Sequence, residues 1–226
     1  MVKKGSNTLI FEKQWLHLLL LAVLLTGVVL VSEIDAVEGG ALWGVPSPTW
    51  LWVAVTVAVA HQGLVWFCWR TQLHLGLLTR AFGKAGFVIY AVLFAILGIA
   101  RVVAVFLLAL SNQGTVAADV SLLRVLAALA TLPALYLFYS VHRYFGFRRA
   151  FGIDHFDPSY RKMPFVKKGI FKYTNNGMYT YGFLLLWVPA LWWGSAAALA
   201  AALFNHLYIW VHYFSTERPD IRRIYA

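Results

Sequence analysis

YGFLLLWVPALWWGSAAALAAALFNHLYIWVHYF, residues 181–214, carries no Asp, Glu, Lys or Arg. A membrane-spanning helix needs about 20 mostly apolar residues. This run is too long for one such helix and short for two. Gly194 and Ser195, preceded by Trp192 and Trp193, are the natural break. The short arm before them, about 20 Å at 1.5 Å per residue, need not cross the bilayer fully, so the stretch reads as a helical hairpin buried in protein. Working outward, four more apolar runs are long enough to span, at 15–32, 50–69, 86–110 and 120–139. The expectation is an all-α integral membrane protein of about six hydrophobic helical segments, the last two forming the hairpin.

Composition agrees. Of 226 residues, 61% are hydrophobic and 12% charged, whereas a soluble domain is about half apolar and a quarter charged. A soluble enzyme and a disordered chain are both excluded. Cys68 is the single cysteine, so no disulfide scaffold is possible. Lys and Arg number 19 against 9 Asp and Glu, and their placement is orderly. Lys3, Lys4 and Lys13 precede the first segment, and the first loop has only Glu33, Asp35 and Glu38. Arg70, Arg80 and Lys84 fill the second loop, while the third has only Asp119. The fourth connection holds Arg143, Arg148, Arg149, Arg161, Lys162, Lys167, Lys168 and Lys172, and the tail holds Arg218, Arg222 and Arg223. All these cations fall on one side of a six-segment topology. The positive-inside rule makes that side, with both termini, cytoplasmic. A bacterial cytoplasmic membrane or the endoplasmic reticulum fits, and the start reads as a retained helix rather than a signal peptide.

The organisation is two-part: a transmembrane bundle of four helices over 1–140, then a catalytic connection, hairpin and tail over 141–226. Arg101 and Arg124, bulky cations inside apolar segments, are functional-site hypotheses by default, with snorkelling to the outer interface beside Asp119 as the alternative. His17, His61 and Gln62 read as lone polar groups satisfied within the bundle. On the last helix Asn205, Tyr208, His212 and Thr216 share one face, with His206, Tyr213 and Glu217 on an adjacent one. No metal motif is present, and no nucleophile elbow or phosphate loop. The fourth connection, FGFRRAFGIDHFDPSYRKMPFVKKGIFKYTNNGMYTY at 145–181, could be a basic face on anionic lipid. Yet Gly169, Asn175, Asn176 and Gly177 are turn formers set just before the hairpin, and such an entrance suits a polar ligand.

At these residues the chain resembles the membrane-embedded phospholipid (phosphatidylethanolamine) N-methyltransferases, relatives of the isoprenylcysteine carboxyl methyltransferases. The lead-in is Gly169-Ile170-Phe171-Lys172-Tyr173, the turn Asn175-Asn176-Gly177-Met178-Tyr179, and the end Glu217-Arg218-Pro219-Asp220. Gly177 replaces the usual proline, and Arg218 stands where the family has a second glutamate. The resemblance implies S-adenosylmethionine as methyl donor, held by Tyr173, Asn175, Asn176, Met178, Tyr179, Gly182, Glu217 and Arg218. It implies a phospholipid substrate within the bilayer; the basic residues Arg148, Arg149, Lys167 and Lys168 are candidates to meet its phosphate, the alternative being plain positive-inside charges. The amine must lose a proton before it can attack, and His206 or His212 is the expected base, with His206 slightly favoured because it shares a face with Glu217. Carboxyl methylation of a prenylcysteine or another small lipophilic acceptor, and a non-catalytic lipid-binding role, are the rival readings.

Overall fold

The computed structural model describes residues 6–225, so Lys3 and Lys4 lie outside the described residues. Helix α1 runs Gln14–Ser32, α2 Ser47–Leu75, α3 Gly86–Ser111 and α4 Val120–Ser140. The hairpin is α5, Leu184–Trp192, and α6, Ala196–His212, and a last short helix, α7, covers Arg218–Ile224. Among the described residues four stretches are long and apolar enough to cross a membrane, and the first arm of the hairpin is a shorter apolar helix. The chain is an integral membrane protein, helical almost throughout. A two-residue pairing of Ala41–Leu42 with Val45–Pro46 tightens the first loop.

Local chemistry sets the boundaries. Pro48 lies in the first turn of α2, where no amide donor is missed, and Gly76 ends that helix in the left-handed conformation at φ 63°. The Asp119 carboxylate caps α4 by accepting the Leu122 amide at 2.8 Å. The hairpin break falls where the sequence places it. Gly194 takes φ +57°, and the Ser195 hydroxyl accepts the Ala198 amide to start α6.

Helix α6 is the centre of the molecule, in contact with α1, α2, α3 and α5. Its alanines at 197, 198, 201 and 202 are fully buried. Small side chains let neighbouring backbones approach closely, and this compensates for the absence of a hydrophobic driving force between helices in lipid. Conversely, Trp15, Leu18, Val23 and Leu30 of α1 point outward, as lipid contact requires. At the end of the bundle holding the first loop, Asn112 ties three elements together. Its amide donates to the Ala36, Val37 and Gly39 carbonyls, and its oxygen accepts from Ser195 and the Ala197 amide.

The opposite end is held by ions. Arg70, fully buried, meets the Asp220 carboxylate at 2.9 Å through Nε. It also donates to the carbonyls of Leu9, Ser215 and Thr216. One guanidinium thus joins the start of the chain, α2 and the tail. The six-segment order therefore holds, but Arg70, read from sequence as a loop cation, is instead a buried structural one.

Candidate active site

Among the described residues, three wide π-helical turns occur at this same end, at Val141–Phe145, Met178–Gly182 and Tyr213–Glu217. Such turns shift side chains out of α-helical register and are frequent at functional sites. The second sits directly after the Asn175–Gly177 turn and presents Tyr179. The third presents Glu217. The Tyr179 hydroxyl donates a hydrogen bond to Glu217 Oε2, and the Tyr179 ring packs on Trp210 and Tyr213. Gly177, in the family's proline position, has φ −53°, an angle that proline also adopts.

Tyr179 and Glu217 line a chamber of about 150 Å³ whose other walls include Gln62, Trp69, Met178 and His212. His61, Phe94, Arg101 and Phe183 line it too, and they also line a second lobe of about 240 Å³. That lobe is otherwise nearly all apolar, walled by Val102 of α3, Leu137 and Phe138 of α4, and Leu185 and Leu186 of α5. Gly182 borders the apolar lobe only. Helices α3 and α4 each pack on α5 rather than closely on one another, so this lobe lies in the gap between them. Phe138 at its edge is exposed on the outer surface of the bundle.

Electrostatics distinguishes the polar lobe. Burial pushes the Glu217 carboxyl up to about 8; nearby His155 opposes the shift, and Asp154 and Asp220 add to it. His155 stacks on Trp69 at 4.2 Å between ring centroids and sits 3.3 Å from Asp154 and 3.6 Å from Asp220. Burial lowers its pKa, but the attraction of these two carboxylates prevails and brings it to about 9. It is a fixed cation behind the chamber wall. Gly152 makes the stacking possible: at φ +78°, a Cβ there would lie 2.5 Å from the Trp69 ring.

His212 is 1% exposed, and neither ring nitrogen has a hydrogen-bond partner. His206 is placed differently. Its Nδ1 accepts from the Trp187 indole at 3.1 Å, its ring lies against Phe183, and it borders neither lobe. Asn176 caps the turn through its carbonyl, which accepts the Tyr179 and Thr180 amides. Asn175 and Tyr173 are exposed. Arg218 is exposed over the Phe214 ring. Arg149 donates to the Pro164 and Met163 carbonyls and to the Tyr225 hydroxyl, and Arg148 lies over Phe87 and Tyr160. Lys167 and Lys168 are exposed. Among the described residues, then, the structure gathers Met178, Tyr179, His212 and Glu217 around one chamber. The basic residues proposed for a lipid phosphate stand outside both lobes.

The family model for phospholipid methyltransferase matches residues 122–226, from the first turn of α4 to the end of the chain. The match covers a little under half of the chain, and the fold places it over α4, the basic connection, the hairpin and the tail. No curated protein and no solved structure matches the chain. Within the matched region lie Met178, Tyr179, His212 and Glu217. His61, Trp69, Phe94 and Arg101, which complete the chamber, come from the helices before it. Sequence reasoning missed Trp69 and Phe94 altogether, since an aromatic residue in an apolar helix carries no sign of what it faces. His61 and Gln62 were visible only as isolated polar groups.

Proposed function

We propose that this protein transfers the methyl group of S-adenosylmethionine to the amine of a phosphatidylethanolamine-type phospholipid, with its site on the cytoplasmic side. The observation that carries the reading is the joined pair of lobes: a chamber lined by His212, Tyr179 and Glu217, continuous in its lining with an apolar gap between two spanning helices. A water-soluble donor and a lipid acceptor require such a pair. In this reading residues 141–226 hold the reacting groups, while the helices of 1–140 supply walls and depth.

The chamber fits the donor chemically. S-adenosylmethionine, when bound, supplies an electrophilic methyl on a cationic sulfonium. Glu217 suits its ammonium group or a ribose hydroxyl, and Trp69, Tyr179 and Phe183 line the chamber with aromatic rings, residues that attract cations. The rest is done by the chain. Holding acceptor and donor in line provides much of the rate, and the apolar lobe excludes water from the amine. His212, with an unpaired ring nitrogen inside the chamber, is placed to take the proton that a headgroup ammonium must lose. The direct test supplies isotopically labelled S-adenosylmethionine to the purified protein in phosphatidylethanolamine bilayers that also contain a prenylcysteine. Label in the headgroup amine is expected. Label appearing only on a prenylcysteine carboxylate, or in no lipid, would overturn the proposal.

Glu217 adds a pH dependence. With its carboxyl near 8, the free protein carries a proton there at neutral pH, and a cationic ligand must displace it. Raising pH removes that competition. Donor affinity is expected to rise by up to roughly tenfold per pH unit below 8 and to level above it. Calorimetric titration between pH 6.5 and 9 checks this, with Glu217→Gln expected to bind weakly and without the slope. An identical slope in the variant would assign the proton elsewhere.

A further inference from the structure

Arg101 of α3 is 5% exposed and lines both lobes. It lies fifteen residues, about 22 Å of helix, from the start of α3 at Gly86, deep within the span. A guanidinium so placed is expensive unless its charge is answered. Among the described residues no carboxylate pairs with it: its Nε and Nη2 donate to Asn205 Oδ1 at 3.0 and 2.8 Å, and its Nη1 meets His61 Nδ1 at 3.2 Å. Both partners are neutral acceptors. Arginine has five N–H donors, so two remain uncommitted. Because Arg101 donates to His61 Nδ1, the imidazole carries its proton on Nε2. That nitrogen is buried, has no partner, and belongs to a residue lining the same chamber. Asn205 is itself anchored, donating to the Ala201 carbonyl, so the guanidinium is fixed along its Nε–Nη2 edge. Phe183 covers its face at 5.0 Å.

We propose that Arg101 and His61 form an oxyanion site at the inner end of the chamber, binding a carboxylate or phosphate oxygen through the two free guanidinium N–H groups and the His61 Nε2–H. The inference rests on the methyl-transfer reading for the identity of its ligand. Depth favours the carboxylate of an amino-acid-bearing donor entering through the chamber over a lipid phosphate, which lies at headgroup level. The site lies before the matched domain, so it is a contribution of the N-terminal helices to recognition.

Two ligand pairs separate the sources. S-adenosylmethionine and its decarboxylated analogue differ only in the carboxylate. Dihexanoyl phosphatidylethanolamine and dihexanoylglycerol differ in the phosphate-linked headgroup. Binding is measured in micelles for wild type, Arg101→Gln and Asn205→Asp. The second variant is nearly isosteric and places a competing carboxylate against Arg101. In wild type, S-adenosylmethionine is expected to bind about ten- to a hundred-fold tighter than its decarboxylated analogue. Both variants should lose that preference while binding the decarboxylated analogue as before. Loss of preference in the lipid pair instead would keep the oxyanion site and assign it to the phosphate. Full preference retained in both pairs by both variants would overturn the site alone. Failure of wild type to bind any of the four would overturn it together with the methyl-transfer reading.

Discussion

Replacing His212 by alanine is expected to reduce turnover by roughly 10²–10⁴, the usual contribution of a positioned proton acceptor, with donor affinity nearly unchanged. The reason is geometric. His212 is sealed from solvent, borders the chamber that Glu217 and Tyr179 close, and has both ring nitrogens unpartnered. Raising the pH should partly restore the variant, because more of the headgroup amine then arrives already neutral. His206→Ala is the matched control. Its imidazole accepts from Trp187 and lies outside both lobes, so its loss should change turnover little. Initial rates at several pH values separate the two. Normal turnover in His212→Ala, or a collapse in His206→Ala, would reverse the assignment.

The second large effect concerns stability. Asp220→Ala should lower the unfolding free energy by about 3–5 kcal/mol, since it leaves a buried cation without its carboxylate. Arg70 and Asp220 are both fully buried, 2.9 Å apart, and His155 faces the same carboxylate at 3.6 Å. Arg70→Ala should be similarly damaging, and the double variant less so than the sum of the two, because the second substitution removes the group that the first leaves stranded. Denaturation in micelles measures all three. Strict additivity would mean that the pair is not coupled. Asp220 is one turn beyond Glu217, so donor binding should weaken in Asp220→Ala along with stability.

The fold was readable because lipid makes a simple demand. Every backbone polar group must be satisfied within the segment, so length and apolarity locate helices directly, and Gly194 marks the hairpin break. Tyr179 and Glu217 were legible through the order of motifs around that hairpin. Arg70 was not, since a cation near the end of a spanning segment reads the same whether it faces water or a buried carboxylate. The chamber's far wall was equally hidden. His61, Trp69 and Phe94 lie on helices remote in sequence from the hairpin, and a single chain's periodicity does not say which helix a face meets. The π turns that aim Tyr179 and Glu217 left no pattern either, because they are a matter of local register rather than composition.

The gap between α3 and α4 has a kinetic meaning. A lobe bordered by two spanning helices and by Phe138 on the outer surface is reached by sideways diffusion within the bilayer, whereas the polar chamber faces the end of the bundle where Glu217 sits. In the methyl-transfer reading the two reactants therefore arrive along perpendicular routes and do not queue at one door. Encounter with the acceptor is then governed by the number of lipid molecules per unit area of membrane, and dilution of the suspension leaves it untouched.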